Sequence, residues 1–183
     1  MKIVLLLLLL LSLPACRRDM ANQARVDPLE ASSFFPDGAG SRTPPAHTIA
    51  QGQLHEDTLY YTGRTDAGEL ATVFPHPVTR GELERGQARY DIFCAPCHGR
   101  VGDGRGAVVD RGFPAPPTFH QPRLREAPPG HLFEVMTKGF GVMYPYASRV
   151  PPEDRWAIAA YIRSLQLSQN ARLADAPAGA LPP

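Results

Sequence analysis

Cysteine is scarce, with three in 183 residues, which excludes a multi-bridge disulfide scaffold and a four-cysteine zinc site. An excess of charge of either sign is also missing, since 19 Lys and Arg stand against 18 Asp and Glu. A chain so balanced has no electrostatic footprint for nucleic acid. The apolar run at residues 3–13 has eleven positions, where about twenty are needed to span a bilayer. No internal repeat is visible, and no Ser/His/Asp set, paired carboxylates or activated water is suggested, so the common hydrolytic chemistries find no support. What abounds is proline and glycine, 20 and 16 residues. Together they make about a fifth of the chain, which predicts a loop-rich protein but not a disordered or collagen-like one.

The first residues read as an export address. Lys2 supplies a positive start, residues 3–13 an apolar stretch, and Leu13-Pro14-Ala15-Cys16 looks like the lipobox of bacterial lipoproteins. On that reading residues 1–15 are removed and Cys16 is acylated, and two or three acyl chains hold a protein stably where one does so only marginally. The rest of the chain is then expected outside the cytoplasm. A plain secretory signal or an uncleaved anchor is the simpler alternative.

From 17 to 78 no helical or strand period is sustained, and Pro28, Pro36, Pro44, Pro45, Pro75 and Pro77 punctuate the segment. It nevertheless carries Phe34, Phe35, Tyr60, Tyr61 and Phe74, too many aromatics for a solvated tether. An irregular extension, residues 16–78, is therefore expected to lie on a partner's surface; a flexible spacer is the plainer reading. Order is expected from Thr79-Arg80-Gly81-Glu82, a capping box opening a helix to about Phe93. Pro128-Pro129-Gly130 opens a second helix that stops at Gly139. Pro151-Pro152, with Glu153 and Asp154 in the first turn, opens a third, whose apolar stripe ends near Leu167. The expected fold is mainly α, a helical domain over 79–168 followed by a disordered tail at 169–183.

Cys94-Ala95-Pro96-Cys97-His98 is the strongest signal in the chain. It is the C-x-x-C-H haem-attachment motif: two cysteines on one helical turn can each bond a vinyl group, and the adjacent histidine is aimed at the iron. Disulfide exchange also uses C-x-x-C, but at a helix N-terminus after a strand, whereas a helix is expected to end here. One such motif implies one covalently bound haem c. The candidates for the sixth iron ligand are Met143, Met136, His120, His131 or an open position. Met136 falls at helical spacing from Leu132 on an apolar stripe, as a core side chain does, whereas Met143 sits in an irregular glycine-flanked segment and is the preferred ligand. His47, His55 and His76 are expected in solvated or partner-contacting roles. A carbonyl of residues 113–118 is expected to receive the second N–H of His98. Gly99, Gly102, Gly104 and Gly106 fit neither phosphate-loop spacing and are expected to serve tight turning beside the porphyrin. Asp103 and Asp110 give only a weak calcium reading, and Tyr144, Tyr146, Arg123 and Arg125 are candidate propionate partners.

His/Met ligation fills both axial positions and the thioether favours ferrous iron, which describes an electron carrier and not an enzyme by itself. The residues resemble class I cytochrome c, in which the first and last helices cross through a glycine and an aromatic. Here Gly86 and Tyr90 are matched with Ile158 and Tyr161. Phe34-Phe35-Pro36-Asp37-Gly38, the stretch from Gly86 to Phe93, Arg111-Gly112-Phe113-Pro114, and Pro151 to Ile158 through Leu165-Gln166-Leu167 are similar to the monohaem cytochrome c component of alternative complex III. That resemblance implies a lipid-anchored monohaem cytochrome c on the periplasmic side of the bacterial cytoplasmic membrane. Its partners would be a multihaem (pentahaem) cytochrome c, an iron–sulfur protein and quinol-binding integral membrane subunits, with a downstream oxidase or soluble electron acceptor. It further implies Cys16 as the acylated residue, Cys94 and Cys97 as the thioether positions, and His98 and Met143 as axial ligands. Many such cytochromes place proline directly after the ligating methionine; here Tyr144 intervenes before Pro145. A free lipoprotein cytochrome c serving a terminal oxidase, and a haem sensor or peroxidase with an open sixth position, are the competing readings.

Overall fold

The computed structural model describes residues 23–27, 29–172 and 175. The apolar run at 3–13, Cys16 and most of the expected tail lie outside the described residues. The chain divides into two compact units, Met1–Gln51 and Gly52–Pro183.

The described part of the first unit has neither helix nor strand, as its proline punctuation predicts. Residues 31–40 turn back on themselves, with Ala31 bridging Ala39, around Gly38 at φ +69°. Arg42 holds the turn, binding both carboxylate oxygens of Asp37 at 2.8 Å and lying 4.2 Å over the Phe35 ring. This arginine keeps the Asp37 carboxyl below its usual range.

The second unit is helical, and among the described residues it contains no strand, only isolated bridges. Helix α1 is Thr58–Thr62, α2 Arg80–Phe93, α3 Ala95–His98, α4 Pro122–Glu126, α5 Pro129–Lys138 and α6 Pro152–Asn170. Thr79 caps α2 as expected, its hydroxyl accepting from Glu82 N–H at 3.2 Å. The reciprocal half of the box is not formed: Glu82 Oε1 is buried without a partner, and Oε2 lies 3.5 Å from His76 Nδ1. Helix α6 runs to Asn170, beyond the expected end near Leu167.

Helices α2 and α6 cross in backbone contact. A Cβ at Gly86 would lie 2.1 Å from Ala157 O and 3.0 Å from Tyr161 Cβ, so only glycine permits this approach. The atoms nearest such a Cβ belong to Ala157 and Tyr161, and Ile158 lies in the same core cluster as Tyr90, with Tyr161 packed against it. Tyr90 is wholly buried beside the crossing, 5.3 Å from the Tyr161 ring. Asp154, buried in the first turn of α6, pairs with Arg85 and, at 3.2 Å, with Arg89, and so ties the two helices electrostatically. One core cluster gathers Tyr90, Phe119, Leu124, Leu132, Met136, Val150, Ile158 and Ile162.

The domain begins upstream of the expected boundary at 79. Ala71, Phe133 and Trp156 form a second core, against which Leu59, Tyr60 and Phe74 pack. Phe133 stacks on Trp156 at 4.5 Å, Phe74 meets its edge at 5.8 Å, and Trp156 Nε1–H donates to Tyr60 O at 2.8 Å. Arg64 forks onto Glu134 of α5 with contacts of 2.8–3.0 Å. The backbone follows suit: Ala71 N–H donates to Gly63 O at 2.9 Å and Gly130 N–H to Ala71 O at 3.0 Å. Gly130 is required there, since a Cβ would lie 2.2 Å from Gly63 O. The aromatics at 60 and 74 thus cover the chain's own α5 and α6. The physical reason is that Phe133 and Trp156 present a large apolar surface that this segment helps remove from water. No helix of the described residues is long and apolar enough to cross a membrane.

Candidate haem-attachment site

Helix α2 delivers Cys94 at its C-cap, where the cysteine N–H donates to Tyr90 O at 2.8 Å. Pro96 pre-sets the next turn, α3, and Cys97 and His98 N–H groups both return to Cys94 O at 3.1 and 2.8 Å. This one-turn geometry puts both sulfurs on a single helical turn with His98 directly after. Both cysteines are free and half-buried. A helix, not a strand, precedes them, which removes the structural setting for disulfide exchange.

The glycine loop then folds back over the motif. Gly104 N–H donates to His98 O at 2.9 Å, Gly106 N–H to Cys97 O at 3.0 Å and Val108 N–H to Pro96 O at 3.1 Å. A Cβ at Gly106 would lie 2.1 Å from Pro96 O, and one at Gly104 2.3 Å from Pro116 O. Close backbone approach therefore accounts for Gly104 and Gly106.

His98 is chemically prepared as a ligand. Burial lowers its pKa to about 4, so the imidazole is neutral and keeps a lone pair at neutral pH. Its ring stacks on Phe119, 4.7 Å between centroids and 11° between planes. Nδ1 is buried without a partner, so the expected bond to a carbonyl of residues 113–118 is not formed. Burial, followed by the neighbouring Cys97, raises the Cys94 thiol to about 12 and keeps it protonated. Two unpaired thiols beside a neutral imidazole with an orphaned buried nitrogen are a donor set that fits covalent haem. Thioether formation would add each S–H across a vinyl group, sulfur to one carbon and hydrogen to the other, and iron ligation would use the imidazole lone pair.

Met143 is half-buried and packs on the same core cluster as Cys94, Phe93 and Tyr146. Its loop is a tight turn in which Phe140 and Met143 exchange backbone bonds of 3.0 and 2.9 Å, made possible by Gly139 at φ +78° and Gly141 at φ +57°. An open depression of about 560 Å³ lies inside the curve of residues 138–145. Met136 is buried in the core with Leu132, as its helical spacing predicts. His120 Nε2 lies 2.8 Å from Val101 O, and His131 is half-buried on α5. His55 stacks on Tyr61 at 4.1 Å, His76 faces Glu82, and His47 is exposed. Tyr146 borders the core, while Tyr144, Arg123 and Arg125 are exposed. Asp103 Oδ1 accepts from Arg105 N–H at 3.0 Å, and no group of three or more His, Cys, Asp or Glu gathers among the described residues.

Phe119 and the Tyr90 hydroxyl, which donates to Gly99 O at 2.7 Å, are parts of the site that sequence reasoning did not single out. Arg163 and the buried Gln166 were also missed. Gln166 donates to Phe119 O at 2.8 Å and Leu124 O at 3.1 Å, and Arg163 donates to Leu124, Arg125 and Ala127 carbonyls. Together they satisfy the open C-terminal carbonyls of α4 and the chain behind Phe119.

The family model described as cytochrome C oxidase, cbb3-type, subunit III matches residues 81–162. No curated protein matches the sequence. Among solved structures, the reducing HAO-like protein complex Kustc0457/Kustc0458 of Kuenenia stuttgartiensis is 25% identical over 53% of this chain and 49% of that one, with a TM-score of 0.44. The match thus spans about half the length of that protein. The KustC0563 c-type cytochrome is 20% identical over 44% of this chain and 96% of its own, with a TM-score of 0.38. Cytochrome CL of Methylophaga aminisulfidivorans is 17% identical over 66% and 69%, with a TM-score of 0.41. The attachment turn, the crossed helices and the family match fall on the same residues, and together they support a c-type cytochrome domain over 81–162, a kind of domain that implies covalently bound haem c and electron transfer.

Proposed function

We propose that the protein is a monohaem, lipid-anchored cytochrome c serving as the periplasm-facing electron-transfer component of a quinol-oxidising membrane complex of the alternative complex III type. The observation that carries the haem part is the attachment turn, with free Cys94 and Cys97 beside a neutral, buried His98. Cys94 and Cys97 would hold the haem as thioethers, and His98 and Met143 would ligate its iron. When bound, haem c supplies a one-electron ferric/ferrous couple. Around it the chain's residues hold the site: burial keeps His98 free of a proton, Phe119 shields one face of its ring from water, and the Phe140–Met143 turn presents the thioether. Packing of the half-buried Met143 on the core cluster that Cys94 also meets supports its choice over Met136, which is buried in that core.

The similarity of four stretches spread from Phe34 to Leu167 to the monohaem cytochrome c component of alternative complex III supports the complex. The lipobox at 13–16 supports acylation of Cys16 and placement on the outer side of the cytoplasmic membrane. Partners on this reading are a multihaem cytochrome c, iron–sulfur and quinol-binding integral membrane subunits, and an oxidase or soluble acceptor downstream. The test is affinity purification of the tagged protein from its native membranes in mild detergent, followed by haem staining of the separated subunits. Co-purification in fixed proportion with a larger multihaem protein, and quinol-dependent haem reduction, are expected. Recovery of a stable lone monohaem protein overturns the complex and leaves a free lipoprotein carrier.

A further inference from the structure

Tyr90 is wholly buried at the α2–α6 crossing, where a phenyl ring would fill the same space. It carries a hydroxyl nonetheless, and that hydroxyl donates to Gly99 O at 2.7 Å. The acceptor directly follows His98. Gly99 adopts φ +75° and ψ 153°, a conformation open to glycine and strained for other residues, so the chain turns directly after His98 at a residue with no side chain to anchor it. Among the described residues this is the one side-chain hydrogen bond to a backbone atom of residues 94–99. Gly99 O also accepts from Gly102 N–H at 3.2 Å, so the carbonyl has a partner even without Tyr90. The hydroxyl therefore does more than satisfy a buried acceptor. It adds a tether from helix α2 to the turn that aims the histidine.

The same ring takes part in a wider contact. Tyr90 lies 5.3 Å from Tyr161 of α6 and 6.3 Å from Phe119, and Phe119 is the ring stacked on His98. One residue thus touches the crossing helix, the ring that flanks the imidazole and the peptide behind it. From this we infer that Tyr90 is a positioning residue for His98: through its bond to Gly99 O and its contact with Phe119 it sets the orientation of the axial imidazole. Helix crossing and iron ligation are thereby coupled through a single hydroxyl. Burial raises the Tyr90 phenol, so it stays a donor throughout the working pH range. The inference rests on His98 being an axial ligand, as the proposed function holds.

The test uses the full-length, haem-loaded protein. Wild type must first give a low-spin ferric spectrum that His98→Ala abolishes; a spectrum indifferent to His98→Ala would remove His98 ligation and the functional reading itself, a failure separate from that of the inference. Tyr90→Phe keeps the ring and loses the donor. Its ferric electron paramagnetic resonance g values are expected to move and its midpoint potential to shift, with a melting temperature close to wild type. Tyr161→Phe, which removes a hydroxyl from the adjoining ring, is expected to leave both unchanged. p-Aminophenylalanine at position 90, which retains a donor, is expected to restore the wild-type g values. Should Tyr90→Phe fail to mature, that donor-retaining variant decides alone: wild-type g values support the inference and shifted ones overturn it. Wild-type g values and potential in Tyr90→Phe, or an equal shift in Tyr161→Phe, overturn it as well.

Discussion

Replacing Gly86 with alanine sets two effects of known sign against each other. In an exposed helix the change stabilises by about 1 kcal/mol, because glycine is the poorer helix former. At the α2–α6 crossing the added Cβ would lie 2.1 Å from Ala157 O and 2.7 Å from Ala157 C, both backbone atoms. No rotamer relieves that overlap, so the helices must separate by roughly 1 Å, enough to forfeit a quarter to a half of each contact's dispersion energy along the seam. Overpacking of this kind costs about 1–3 kcal/mol, and the buried contacts of Tyr90 and Ile158 add to it. The expected net result is a loss of about 0–2 kcal/mol after the propensity gain. Gly81 supplies the control, lying in the same helix with nothing within 4 Å of a built Cβ. Gly81→Ala should be neutral or stabilising by up to about 1 kcal/mol. Urea unfolding of both haem-loaded variants, followed by tyrosine and tryptophan fluorescence, reads the difference as a shift in midpoint at constant slope. Gly86→Ala as stable as Gly81→Ala would refute the backbone-contact account of the crossing.

Met143→Ala should lower the midpoint potential by an amount on the order of tenths of a volt and let the ferrous protein bind CO; an unchanged potential and spectrum would return the search to Met136 or a histidine. The Glu134 carboxyl is held below its usual range by Lys138 and by Arg64, against the opposing effect of burial. Its folded pKa being depressed, the stabilisation is full above the ordinary carboxylate range and is lost as pH falls through the lowered value. Limited proteolysis by an acid protease should therefore cut the 52–74 segment faster as pH drops through that window, whereas Glu134→Gln should show fast cutting with less pH dependence; identical profiles would count against the Arg64–Glu134 clasp. Cys16→Ser should release the protein from membranes once separated from its partners, as read by fractionation, and retention would argue against acylation.

Local chemistry made the site legible. The attachment motif needs only adjacent residues on one turn; proline pairs mark where α5 and α6 begin, acids the first turn of α6, and a glycine stop the end of α5. Met136 and Met143 were separable for the same reason, since helical spacing puts one on a core stripe. Harder to read was the segment from Asp57 to Phe74. Its helix has five residues and its remaining contacts are single bridges, so no period betrays it. Its partners Glu134 and Trp156 lie 70 and 96 positions away from Arg64 and Tyr60. Phe119 carried no signal either, because stacking on His98 depends on how the proline-rich loop returns to the motif.

The sequence by itself determined the chemistry: two thiols and an imidazole on one turn, a mainly helical domain to hold them, and a glycine at the crossing helix. Those are consequences of spacing within a few residues, where backbone geometry leaves few alternatives. Tertiary structure alone decided that residues 58–74 belong to the domain, that Phe119 stacks on His98 and Tyr90 bonds to Gly99, and that Arg163 and Gln166 close α4. Each of these depends on which apolar surface is left uncovered, and on which carbonyls are left open, once the helices have packed. Such demands arise only between segments distant in the chain.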